Sequence, residues 1–121
     1  MSYFAVIREA GPAWADGIGI AGQPALAEHA AFMKTLADEG FVLCGGPLAG
    51  TEHERLRALL IVRAGSEAEI RRRLANDPWT RADRLVISSI ESLKIMTGTE
   101  RLPPTSAPRA SGDAAALSSA N

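Results

Sequence analysis

His29, His53 and Cys44 are the side chains whose type and setting invite a chemical reading of this chain. His29 lies in the stretch PALAEHAAFMKTLADEGFVLCGGPL. A turn of about 100° per residue puts Leu26, His29, Ala30, Met33, Leu36 and Ala37 on one stripe, with Glu28, Thr35, Asp38 and Glu39 opposite. An imidazole among apolar residues must find a partner or open onto a pocket, since burying it unpaired costs roughly 2 kcal/mol or more. Paired with a backbone carbonyl it is structural; at a pocket it is a candidate acid or base. His53 stands among charged loop residues and reads as solvated. Cys44, in a strand-like apolar run with no second cysteine, reads as a core thiol. His29, His53 and Cys44 have no metal-ligand spacing, so neither metal nor cofactor is expected.

The elements that must position these groups follow from punctuation and periodicity. Pro24 suits a first helical position and Gly40 the position just past an end, where positive φ is needed, so the spacing predicts a helix between them. Tyr3 to Arg8, aromatic and β-branched, predicts a central strand. Residues 9–22, rich in glycine and without periodicity, predict a long surface connection of the kind that often serves a site. Trp14 within it reads as folded back over a hydrophobic edge, or as a pocket wall. Phe41 to Gly45 predicts a second strand, turned away by Gly46-Pro47, where the backbone can approach another group closely.

Residues 55–64 predict a third strand with Leu56, Ala58, Leu60 and Val62 on one face and Leu59 and Ile61 on the other. An apolar centre on both faces implies cover on both sides. The helices of the chain can cover one; a second subunit is the candidate for the other, giving a homodimer that can assemble further. Ser66 with Glu69 makes a capping box that opens a second helix, with Ile70 and Leu74 buried. Arg71, Arg72 and Arg73 fan out around that helix and read as solvated. Asp77 before Pro78 is an N-cap for a short turn, a role that explains it on its own. Leu85 to Met96 predicts the last strand, with room for a bulge at Ser88-Ser89. Residues 1–97 then form one domain, and the Ala-, Ser- and Pro-rich stretch 98–121 reads as disordered or loosely docked.

Strand, helix, strand, strand, helix, strand is the split βαβ plan: α+β, ferredoxin-like, a four-stranded antiparallel sheet with two helices on one face. Two such sheets face to face make a dimeric α+β barrel. A formal charge of −1 argues against a nucleic-acid surface or a polybasic membrane patch. With no apolar run near the roughly 18 residues of a membrane span and no leader-like start, a cytoplasmic protein is expected.

EHAAFMKTLADEGFVLCGGPLAG followed by ALLIVRAGSEAEIRRRLANDPW resembles the YciI-like (YCII-related domain) proteins, over roughly Tyr3 to Met96. The shared features are a helix-borne histidine, Gly-Pro after strand two and Asp-Pro-aromatic after helix two. The resemblance implies a dimeric ferredoxin-like fold related to muconolactone isomerases and an active-site pair at His29 and Asp77. One relative is a dehydrochlorinase of a chlorinated hydroxyquinol. A carboxylate beside an imidazole fixes its tautomer, and a histidine so held can act as a general base. The expected function is therefore acid/base chemistry, isomerisation or elimination, on a small aromatic or lactone substrate. Gly46, Pro47, Trp79, Trp14 and Phe32 are the expected substrate-binding residues. The alternative is a non-catalytic small-molecule-binding or accessory protein on the same scaffold. A cofactor-free monooxygenase rests on fold analogy alone.

Overall fold

Alternating side chains decide which way each strand faces. In the computed structural model, which describes residues 1–102, β1 (Ser2–Ala10), β2 (Val42–Pro47), β3 (Arg57–Ala64) and β4 (Leu85–Leu93) form one antiparallel sheet in the order β2-β3-β1-β4. Phe4 and Val6 of β1, with Leu60 and Val62 of β3, meet Leu36 of α1 (Leu26–Asp38) and Ile70 and Leu74 of α2 (Glu67–Leu74) in the main core. A second cluster joins Trp14, Leu56, Ala58 and Leu85 to Trp79 of the short α3 (Pro78–Arg81). This is the expected α+β, ferredoxin-like plan.

Several local expectations shift. The first helix starts at Leu26 rather than Pro24, because Ala25 takes a left-handed conformation at φ 60° and breaks the helical path. Its end is as expected: Gly40 sits at φ 80°, with the N–H groups of Gly40 and Phe41 donating to the carbonyls of Ala37 and Leu36. The inward stripe is narrower than the spacing suggests. Leu36 is buried and His29 and Met33 are partly so, but Ala30 and Ala37 are exposed, since α1 packs mainly on the edge strand β2.

Gly46-Pro47 does not turn the chain; β2 runs on to Pro47, opposite Leu59 and Ala58 of β3. A proline costs no ladder bond on an edge strand. Cys44 is exposed rather than part of the core. The register of β2 shifts between Val42 and Cys44, which sets Cys44 opposite Ile61, on the sheet face the helices leave open. The bulge expected in β4 is present, with Ser88 skipped in the pairing with β1. Arg73 is not simply solvated: it pairs with Glu39 and lies 4.8 Å from the centroid of the Phe41 ring. Thr99–Arg101 form a 3-10 turn; the rest of the expected disordered tail lies outside the described residues. Among the described residues no helix is long and apolar enough to cross a membrane.

Gly45 is the point at which β2 presses on β3. A Cβ there would stand 2.5 Å from Leu60 Cδ2 and 2.7 Å from the Leu59 carbonyl oxygen, and the latter is backbone that cannot step aside cheaply. Gly45→Ala is expected to cost about 1–3 kcal/mol of stability. Thermal denaturation checks this, and an unchanged midpoint would contradict the close approach.

Candidate active site

Asp77 is fully buried, and its carboxylate is answered on every side. As the N-cap of α3 its Oδ1 accepts from the Trp79 backbone N–H at 2.9 Å. Oδ2 accepts from Arg8 Nη1 at 2.9 Å. His29 Nδ1 lies 2.9 Å from Oδ1 and 2.8 Å from Oδ2. Residues 48 positions apart in the chain thus meet where α1 passes the start of α3.

Burial pushes the Asp77 carboxyl up. The bonds from His29, with its charge when the ring is protonated, then the Trp79 N–H and Arg8, outweigh it and hold the group below the usual carboxylate range. Burial likewise pushes the Arg8 guanidinium down, against the bond and charge of Asp77; guanidinium remains charged in proteins. An ionised carboxylate only accepts, so Nδ1 of His29 carries the proton that bonds Asp77. In the neutral ring that leaves the lone pair on Nε2.

The imidazole is held from its face as well. Trp79 stacks on it with centroids 3.9 Å apart and planes 8° from parallel. Trp79 Nε1 donates to the Pro24 carbonyl at 2.7 Å, tying α3 to the turn before α1. Trp14 stands edge-on behind it, at 5.6 Å and 84°, and donates through Nε1 to the Glu54 carbonyl. The long first connection that carries Trp14 is clasped by buried Gln23, whose amide bonds Ala15 on both its N–H and C=O and the Gly19 carbonyl.

A cavity of about 190 Å³ opens beside this group, with Arg8, His29, Met33, Gly46, Pro47 and Trp79 among its walls. His29, whose side chain is 14% exposed, reaches it, whereas Asp77 lies behind. Of the expected substrate-binding residues, Gly46, Pro47 and Trp79 line the cavity. Trp14 is buried behind Trp79, and Phe32 packs against the main core. Arg8 went unnoticed in the sequence, although Phe4, Val6 and Arg8 alternate on one strand face and an arginine there requires a buried anion. Met33, one helical turn from His29 on the same stripe, and Ile20 also line the cavity, and only for Ile20 was an apolar side chain the sole signal. Among the described residues no three His, Cys, Asp or Glu side chains gather as a metal-binding group.

The family model of the YCII-related domain matches residues 3–96. The chain belongs to the YCII-related domain family. Among solved structures, this YCII-related protein is similar to 5-chloro-2-hydroxyhydroquinone dehydrochlorinase from Burkholderia phenoliruptrix AC1100, in complex with 2,5-dihydroxybenzoquinone. The identity is 23% and the TM-score 0.50, over 81% of this chain and 97% of that one, which is a likeness of fold. No curated protein matches the chain.

Removing the charge of Asp77 leaves Arg8 buried without an anion, so Asp77→Asn is expected to lower stability at pH 7 by roughly 3–5 kcal/mol. A depressed carboxyl contributes its stability above its unfolded value, near pH ~4, and gives it up as the pH falls through its lower folded value. The gap between parent and variant should therefore narrow below pH ~4. Urea unfolding at neutral and acid pH measures it; an equal gap at both would contradict the assignment.

Proposed function

We propose that this YCII-related protein is an acid/base enzyme in which His29, oriented by Asp77, moves a proton on a small substrate. The observation that carries the reading is the bonding of Asp77. Its oxygens are occupied by Arg8, the Trp79 N–H and His29 Nδ1, so the nitrogen left for chemistry is Nε2, on a residue that lines the cavity. Nε2 takes a proton from an acidic C–H or O–H and the bonding pair stays on the substrate. Returning that proton to another atom isomerises the molecule; expelling a leaving group with the electron pair is an elimination.

The size of the cavity supports a small substrate, below the roughly 300–1,000 Å³ of pockets for drug-sized ligands. Its mostly apolar walls suit a ring carrying few oxygens, aromatic or lactone. The fold shared with a dehydrochlorinase of a chlorinated hydroxyhydroquinone favours trying that class first. The single free cysteine accords with a reducing, cytoplasmic setting.

His29→Ala and His29→Gln, assayed beside the parent on chlorinated hydroxyhydroquinones and lactones, are expected to lose about 10²–10⁴-fold in kcat. Turnover equal to the parent's rejects the base. Binding without turnover by the parent favours the binding-protein reading instead.

We propose in addition that the protein is a homodimer through the open sheet face. Ile7, Leu59 and Ile61 lie there only partly covered by their own chain, and a neighbouring sheet would complete their burial. Light scattering at micromolar concentration is expected to give twice the chain mass, and a compact monomer would overturn the assignment.

A further inference from the structure

Arg8 is a buried cation on a central strand, 2% exposed, and its bonding is lopsided. Nη1 donates to Asp77, Nη2 lies 3.3 Å from the Met33 sulfur, and Nε has no partner. Asp77 is the anion it pairs with. Packing does not require such a residue: Phe4 and Val6, its neighbours on the same face, are plain core residues.

We infer that Arg8 is a positioning residue for His29: by balancing the charge of Asp77, it keeps the imidazole from being locked as an imidazolium and leaves Nε2 able to accept a proton. This rests on the reading of His29 as a base. A histidine alone with a buried carboxylate gains most by becoming positive, because the pair then has no net charge. Its Nε2 would carry a proton and could not serve as a base. With Arg8 on Oδ2 the carboxylate is balanced already, and a proton on His29 adds an uncompensated charge at a site 14% exposed. During turnover that charge appears together with the anion left on the substrate, and vanishes when the proton is passed on. Asp77 and Arg8 keep their charges throughout.

The surroundings simplify the titration. Arg8 from β1 and His29 from α1 are the titratable side chains lining the cavity, Asp77 at the start of α3 stands behind them, and the ring face is taken by uncharged Trp79. Glu28, the acidic neighbour of His29 on its own helix, is exposed.

The test uses the full chain without substrate, so a failure to find turnover has no bearing on it. The imidazole of His29 is followed by NMR against pH in the parent, Arg8→Met and Arg8→Lys. In Arg8→Met the titration of His29 should move to higher pH by about one unit or more. In Arg8→Lys, which keeps the charge, it should stay close to that of the parent. An unmoved titration in Arg8→Met, or equal displacement in both variants, overturns the role of Arg8 while leaving the base reading standing. A second measurement needs no variant: the guanidinium protons of Arg8 in the parent should exchange with solvent far more slowly than those of exposed Arg71 and Arg72. Exchange at the same rate would show that Arg8 is not held on Asp77 and would equally overturn the role. If Arg8→Met does not fold, Arg8→Gln, uncharged but still able to donate to Asp77, takes its place with the same expected displacement.

Discussion

A carboxylate without contact with water has to be answered by the protein around it, and at Asp77 that demand organises one end of the molecule. Each oxygen accepts more than one bond: an N-cap bond from α3, a guanidinium from β1 and an imidazole from α1. Three elements distant in sequence are thereby fixed to one atom group. Removing any one of them strands charge in a low-dielectric interior, which costs far more than the pairing yields relative to water. Such a cluster is rigid because each member is needed by the others.

The aromatic pair extends that rigidity outward. Trp79 is placed by the same turn that Asp77 caps, so the residue that bonds His29 and the residue that covers its ring come from one short segment. Trp14 then braces Trp79 from behind, and its loop is in turn secured to the β2–β3 connection through Glu54 and Glu52. A long connection would ordinarily be the most mobile part of so small a fold. Here buried Gln23 satisfies three of its backbone groups, and Gly19, at φ 62°, passes so close to Glu52 that a Cβ would meet its carbonyl oxygen at 2.7 Å. The loop serves the site by supporting its wall from outside; Ile20 is its contribution to the cavity itself.

The sheet faces divide the labour. One carries the core and, at its end, the charged cluster; the other displays Ile7, Leu59 and Ile61 to one side of the Glu9–Arg57 ion pair. Because side chains alternate along a strand, Arg8 and Ile7 can serve opposite faces as adjacent residues. The β-bulge that drops Ser88 from the pairing lies between those two positions, next to where Arg8 turns inward.

Much of this was legible in the sequence where the signal is local or periodic. Glycine at a helix end, the Ser66 and Asp77 caps, the two-faced third strand and the order of elements each reflect backbone chemistry that the nearest residues decide. The motif set leading from His29 to Trp79 was equally enough to indicate the family. What neighbours cannot decide is who answers whom across the fold. Arg8 read as the end of a strand, Cys44 as core and Gly46-Pro47 as a turn, because burial depends on which strand is an edge and where a bulge shifts the register. The meeting of Arg8, His29 and Asp77 belongs to tertiary structure alone, since the force that joins them is the cost of leaving a buried charge unpaired, and that cost exists only once the chain has closed around it.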